Sequence, residues 1–228
     1  MNSVIKIGHR GAKGHLAENT LESIAKAIAF GVDMVEIDVH RCASGEIVVM
    51  HDFTLDRTTN VSGEVAAKSW EYLKTLKIER EFKIPLLTEV LALIEGKCAI
   101  NIELKGLNTA QAVCDIVQEH IKTGSWEYKD FILSSFQKNE LFEVRKYDEQ
   151  IPIGILSKAS LAEAINLGEK LNASAIHPSA GIITRENVVE AQAKGFKVNV
   201  WTVNEPETIA RMKEFGVDGI ISDFPDRL

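Results

Sequence analysis

Cysteine is scarce in this chain, and strongly basic runs and long apolar stretches are missing altogether. Three cysteines, Cys42, Cys98 and Cys114, occur in 228 residues. No two have zinc-knuckle spacing, and their odd number fits a reducing compartment better than a disulfide framework. Cys98 lies inside an apolar run and reads as a small buried hydrophobe. No apolar run is long enough to span a bilayer, which argues against stable membrane insertion. The N-terminus runs directly into Val4-Ile5-Lys6-Ile7, too short for the apolar region of a signal peptide, so the cytoplasm is the expected compartment. With a net charge of −7 and no basic stripe, nothing offers a footprint for nucleic acid. An anionic substrate would have to be attracted locally.

What is present is a hydrophobic content of 45%, ordinary for a globular protein and sufficient for a sizeable core. The length suits one domain over residues 1–228. Strand-like and helix-like segments alternate along it. Val4–Ile7 reads as a strand. A helical stripe of Leu21, Ile24, Ala25, Ile28 and Ala29 follows, with Asn19 or Thr20 as cap and Gly31 as stop. Asp33–His40 and Glu46–Met50 read as strands joined by a Ser44-Gly45 turn.

Further strands fall at Cys98–Leu104, Phe131–Ser134, Ile153–Leu156, Ala175–His177, Lys197–Trp201 and Gly219–Ser222. Helices are expected at Thr109–Lys122, Lys138–Tyr147, Leu161–Leu171, Arg185–Lys194 and Pro206–Phe215, the last with Pro206 near its first position. About eight βα units in this order predict an α/β protein with a closed parallel TIM (β/α)8 barrel. The alternative is an open doubly wound sheet. Polar strand ends spread from the first unit to the last favour closure, because an open sheet would hold them far apart. The stretch 52–87 breaks the rhythm, with only a weak helical patch near Trp70–Leu76. It is expected to be a small insertion near the barrel mouth.

The reactive side chains gather at those strand ends: His9-Arg10, Glu36-x-Asp38, His51-Asp52, Glu103-x-Lys105 and Trp201-Thr-Val-Asn204. Alternation puts Glu36 and Asp38 on one face of their strand, and Glu103 and Lys105 on one face of theirs. The intervening Val35, Ile37, Val39 and Ile100, Ile102, Leu104 are apolar and suited to pack outward against helices. The carboxylates then point into the barrel, where unpaired charge is costly. Hard oxygen donors without Cys or paired His select one divalent cation of the magnesium, calcium or manganese kind. Such an ion would overturn the repulsion that three carboxylates exert on a phosphodiester monoanion. His9 and His51 have the pKa range for moving protons near neutrality. Arg10 can fork onto phosphate oxygens and Lys105 can act as a point charge. Asp52 either orients an imidazole or holds a loop turn. His177, Trp201 and Phe136, each at or just past a strand end, are candidates for the pocket wall. His120 reads as a solvated helix residue.

These pieces resemble the glycerophosphodiester phosphodiesterase family, in its bacterial short-chain form. The resemblance is carried by His9-Arg10-Gly11, Glu18-Asn19-Thr20, Glu36-Ile-Asp38-Val, Val49-Met-His51-Asp52, Leu55-Asp56-Arg57-Thr58-Thr59, Ile84-Pro85-x-Leu87, Asn101-Ile-Glu103-x-Lys105, Ser134-Ser135-Phe136, Trp201-Thr202-Val203-Asn204 and Asp218-Gly219-Ile220, in order along nearly the whole chain. Ala17, where the family commonly has proline, and Ser44-Gly45, where Asp-Gly is usual, depart from the pattern away from the proposed chemistry.

The resemblance implies a TIM barrel with a small insertion after the second strand and His9 and His51 as an acid–base pair. It implies Glu36, Asp38 and Glu103 as ligands of one divalent cation, usually magnesium or calcium, with Arg10 and Lys105 on the phosphate. The implied activity cuts a small-molecule glycerophosphodiester into sn-glycerol 3-phosphate and an alcohol. Two other readings compete with it: a phospholipase-D-like lyase acting on lysophospholipids, and a barrel that binds phosphodiesters without cleaving them. Paired proton carriers argue against the second. The pattern assigns no oligomeric state.

Overall fold

The computed structural model describes residues 4–124 and 126–228. Eight parallel strands close on themselves: β1 (Ile5–His9), β2 (Met34–Arg41), β6 (Ala99–Leu104), β7 (Phe131–Ser135), β8 (Ile153–Ser157), β9 (Ala175–Pro178), β10 (Lys197–Val200) and β11 (Gly219–Ser222). Each pairs with its neighbours in that order, and β1 pairs with both β11 and β2, which completes the ring. The outer helices are α1 (Leu21–Ala29), α3 (Leu87–Ile94), α4 (Ala110–Lys122), α5 (Lys138–Tyr147), α6 (Leu161–Lys170), α7 (Arg185–Ala193) and α8 (Pro206–Phe215). After β11 the last helix shrinks to a single 3-10 turn, Pro225–Arg227. The closed barrel expected from the alternating pattern is therefore the fold, and the open sheet is excluded.

Strand alternation sorts side chains into two cores. Outward residues such as Val35, Ile37, Ile100, Ile102, Leu133 and Val198 pack with Leu91, Val113, Leu141 and Val188 of the helices. Full burial of one such aliphatic side chain is worth about 1.5–3 kcal/mol. Inward residues Ile7, Met34 and Ile221, with Ile5, Ala99 and Ile132 against them, fill the barrel interior as an apolar plug.

The helices start and stop where short polar residues or glycine permit. Thr20, Ser160 and Thr184 accept from the backbone N–H three residues on, at 3.1–3.2 Å, which satisfies one orphan donor at each N-terminus. Gly216 ends α8 at φ +77°, a left-handed conformation that glycine adopts without a Cβ clash.

Between β2 and α3 lies an elaboration. β3 (Ile47–Val49) returns antiparallel to β2. A short helix α2 (Trp70–Leu73) and a two-stranded hairpin, β4 (Lys77–Ile78) with β5 (Phe82–Lys83), follow it. This part has its own small core of Val48, Leu55, Val65, Leu73, Ile78 and Ile84. Helix α3 is absent from the segments expected from periodicity. Its sequence, Leu-Thr-Glu-Val-Leu-Ala-Leu-Ile, is apolar on more than one side, so the helical stripe that marks α1 is blurred.

The connection from β6 into α4 is fixed from another element. Glu140 of α5, buried, accepts from the backbone N–H groups of Asn108, Thr109 and Ala110 at 2.7, 3.0 and 2.8 Å, and from Thr109 Oγ1 at 2.9 Å. A carboxylate here satisfies the first donors of α4 and complements its dipole. Glu140→Ala strands those donors and is expected to lower stability by about 2–4 kcal/mol, read as a shift of the urea unfolding midpoint.

Candidate active site

At the C-terminal mouth of the barrel a cavity of about 80 Å³ is lined by His9, Arg10, Glu36, His51, Glu103 and Lys105. Asn101, Ser134, Phe136, Leu156, Trp201, Thr202 and Ile221 complete it. Register explains the convergence. His9 stands opposite Glu36 across β1 and β2, Asp38 opposite Glu103 across β2 and β6, and Glu103 opposite Ser134 across β6 and β7. Because adjacent strands run parallel and all these side chains share the inward face, residues far apart in sequence meet at one level.

Glu36, Asp38 and Glu103 are all buried, and one carboxylate oxygen from each lies within 4.8 Å of the others. Burial pushes the Glu36 carboxyl well above its ordinary range, and the charges of Asp38 and Glu103 push it further. Glu103 is raised to about 7 by burial and by Asp38. Asp38 goes the other way. Burial raises it, but Arg10 and Lys105 outweigh burial and hold it below the usual carboxylate range. Three hard oxygen donors that cannot comfortably all ionise together fit a divalent cation of the magnesium or calcium type.

Asp38 is gripped from several sides. Asn19 Nδ2 donates to its carboxylate at 2.9 Å, and its backbone N–H donates to Asn19 Oδ1 at 3.2 Å. Asn19 holds this pose at φ +59°, a left-handed conformation that asparagine tolerates better than most residues. Arg10 Nε lies 3.2 Å from Asp38 and Lys105 Nζ lies 3.5 Å away, with Glu103 at 2.9 Å from the same lysine. Arg10 is itself left-handed at φ +49°, a strain of order 1 kcal/mol that accompanies donation of its backbone N–H to Glu36 at 2.9 Å.

Both imidazoles are tied at Nδ1. His9 Nδ1 lies 2.5 Å from Asp223 Oδ1, and His51 Nδ1 lies 2.5 Å from Asp52 Oδ1. Asp223 stays ionised, because its bond to His9 overcomes burial and brings it to about 2. Arg57 holds the Asp52 carboxyl far below its ordinary range. An ionised carboxylate only accepts, so each Nδ1 carries the proton and each Nε2 is left with a free lone pair. Burial lowers both imidazoles below their ordinary value.

Arg57 donates to Asp52 at 2.6 Å and to Glu18 at 2.6 Å, and Glu18 accepts from Arg10 at 2.8 Å. A chain of charges thus joins the insertion to the first strand. Asn204 holds Asp223, donating to its carboxylate at 2.8 Å and accepting its backbone N–H at 2.9 Å.

Of the residues expected from sequence, the structure brings His9, His51, Arg10, Lys105, Glu36, Asp38 and Glu103 together. Trp201 and Phe136 line the same cavity, with their rings edge-on at 5.5 Å. His177 does not join them. It is completely buried inside the barrel, beside Gly154, where any Cβ would come within 2.8 Å of its ring. Its Nε2 pairs with Asn199 Nδ2 at 3.1 Å. The parity that places Trp201 at the rim leaves His177 one layer deeper. His120, read as solvated, is half-buried with Nδ1 on the Ile116 carbonyl at 2.8 Å.

Of the supporting residues, Glu18, Arg57 and Asn204 stand in the motifs that carry the resemblance but have no individual role there, and Asp223 stands in none of them. Asp223 has a signal in retrospect: it continues the inward parity of Gly219 and Ile221 past the end of β11.

An eight-stranded barrel with an acidic cluster, two imidazoles and two cations at its C-terminal mouth defines a hydrolase-type site for an anionic ester. Comparison with known proteins names the group. Residues 9–227 match the Glycerophosphoryl diester phosphodiesterase family. A protein of Caldanaerobacter subterraneus subsp. tengcongensis named glycerophosphodiester phosphodiesterase is 35% identical over 97% of this chain and 95% of its own length. One of the same name from Bacillus altitudinis is 34% identical over 96% of this chain and 94% of its own. A phosphodiesterase of Oleispira antarctica, solved in complex with the product sn-glycerol-3-phosphate, superposes with a TM-score of 0.89 at 27% identity, covering 99% of this chain and 94% of that one. The chain belongs to the glycerophosphoryl diester phosphodiesterase family and is an enzyme of that class. Among the described residues no helix is long and apolar enough to cross a membrane.

The buried imidazole of His177 makes stability depend on pH. Burial depresses it to about 4 from an ordinary 6.5. Between those values the unfolded chain binds the extra proton, so the contribution is complete above pH 6.5 and is lost as pH falls towards 4. His177→Gln should remove about 3 kcal/mol of this pH dependence, seen as a shallower decline of the urea midpoint with acidification than in the parent protein.

Proposed function

We propose that the chain hydrolyses glycerophosphodiesters to sn-glycerol 3-phosphate and an alcohol, with His9 and His51 as the acid–base pair. Glu36, Asp38 and Glu103 are the ligands of one divalent cation, magnesium or calcium. The observation that carries this reading is the single cavity shared by Glu36, Glu103, both imidazoles, Arg10 and Lys105. Family membership supports it, as does the sn-glycerol-3-phosphate bound by the Oleispira antarctica enzyme.

A cation held by the three carboxylates would supply Lewis-acid polarisation of a phosphoryl oxygen and reverse the local charge. Around it the protein's own groups divide the work. Arg10 and Lys105 stand beside the carboxylates and stabilise charge on the equatorial phosphate oxygens. One imidazole, neutral at Nε2, takes a proton from the attacking water, and the other, entering the cycle as the imidazolium, gives its Nε2 proton to the departing alkoxide. Water is thereby added across the broken P–O bond, and the two imidazoles exchange protonation states with solvent to reset. Asp223 and Asp52, each on a Nδ1, fix the tautomer and stabilise the imidazolium as it forms. Trp201 and Phe136 wall the pocket and limit access of bulk water.

His9→Ala and His51→Ala should each lower kcat on glycerophosphocholine by roughly 10²–10⁴-fold with unchanged thermal unfolding, followed by enzymatic detection of released glycerol 3-phosphate. Unimpaired turnover in either variant removes that histidine from the scheme. Exhaustive chelation should abolish turnover, and added magnesium or calcium should restore it. Full activity after chelation would contradict the assignment of the acidic cluster.

A further inference from the structure

Two polar side chains in the cavity wall have no part in the proton and phosphate chemistry. Asn101 and Ser134 both line the cavity and are 1% and 0% exposed. Asn101 Oδ1 and Ser134 Oγ have no hydrogen-bond partner among the described residues. Leaving such an atom unpaired is costly, so both point to a ligand that supplies hydroxyls. Their position is set by register. Asn101 stands beside Glu36 across β2 and β6, and Ser134 stands beside Glu103 across β6 and β7. The pair therefore flanks the carboxylates on which the phosphate end of the substrate would centre. Their neighbours in the wall, Leu156, Trp201 and Ile221, are apolar or, in the case of Trp201, have the indole N–H already committed to the His177 carbonyl at 2.7 Å.

Size narrows the ligand. The space beside Asn101 and Ser134 is small, about 80 Å³ for the whole cavity, which suits a short polyol. Serine donates and accepts, and the asparagine amide does both through separate atoms. A vicinal diol offers the matching two donors and acceptors.

We propose that Asn101 and Ser134 bind the glycerol hydroxyls and determine the enzyme's selectivity for the glycerol half of its substrate. The inference rests on the glycerophosphodiester reading and adds to it the residues that recognise the polyol. A propyl group in place of glycerol leaves both polar atoms unpaired, the kind of mismatch that binding sites reject most strongly.

The test compares sn-glycerol 3-phosphate with n-propyl phosphate by calorimetric titration of the magnesium-loaded protein. The parent should prefer the glycerol compound by roughly tenfold or more, about 1.4 kcal/mol. Ser134→Ala and Asn101→Ala should bring that ratio towards one by weakening only the glycerol compound. Closure of the ratio in either variant supports the proposal. A parent ratio near one overturns it without recourse to any variant, and so does a ratio unchanged in both variants, including equal weakening of the two ligands. Release of glycerol 3-phosphate from glycerophosphocholine by the parent is scored separately. Its failure removes the hydrolase reading, while the affinity ratio still reports on the two side chains.

Discussion

Asp38 is the point on which the mouth of the barrel is built. Its carboxylate, almost fully buried, faces Arg10 and Lys105, and its backbone and side chain are both clasped by Asn19. Its carbonyl accepts from Met50 N–H at 2.9 Å, which ties the segment leading to His51 onto β2. Isolated carboxylates in such surroundings would be prohibitively costly. The two cations and the asparagine amide make one of the three tolerable as an anion. Glu36 and Glu103, less well compensated, are left with raised pKa values. Compensation is thus uneven across a group of three carboxyls that could hold a cation.

Much of this was legible from the chain because it depends on short-range rules. The period of two that makes β2 read Met-Val-Glu-Ile-Asp-Val also decides which residues enter the barrel, so Glu36 and Asp38 could be placed inward without coordinates. The alternation of strands and helices gave the topology, since parallel neighbours need a crossover between them. Three things were hidden for distinct reasons. Helix α3 buries Leu87, Val90, Leu91 and Ile94, but the apolar Ala92 and Leu93 beside them blur that stripe in the sequence. Asp223 lies beyond the last strand, and its partner His9 is 214 residues away in sequence, a pairing that only barrel closure creates. His177 obeyed the inward rule, but depth along a strand cannot be read from parity. It therefore fell below the cavity with Asn199 instead of joining the wall. Glu140 belongs with these: nothing in a lone helical glutamate announces that it caps the helix before its own.

The two imidazoles are secured by different parts of the molecule. His9 ends the first barrel strand and Asp223 directly follows the last, and these two strands are paired to one another through four residue pairs, so the relation of the two side chains is set by the barrel closure. His51 leans on Asp52 and Arg57, both supplied by the segment between β3 and α2, whose residues pack largely on a separate apolar cluster. One of the two imidazoles is therefore held by the frame, and the other by an appendage. A change of sequence in that appendage can move the seat of His51 while leaving that of His9 untouched, so the two rings are open to separate adjustment without any change to the scaffold.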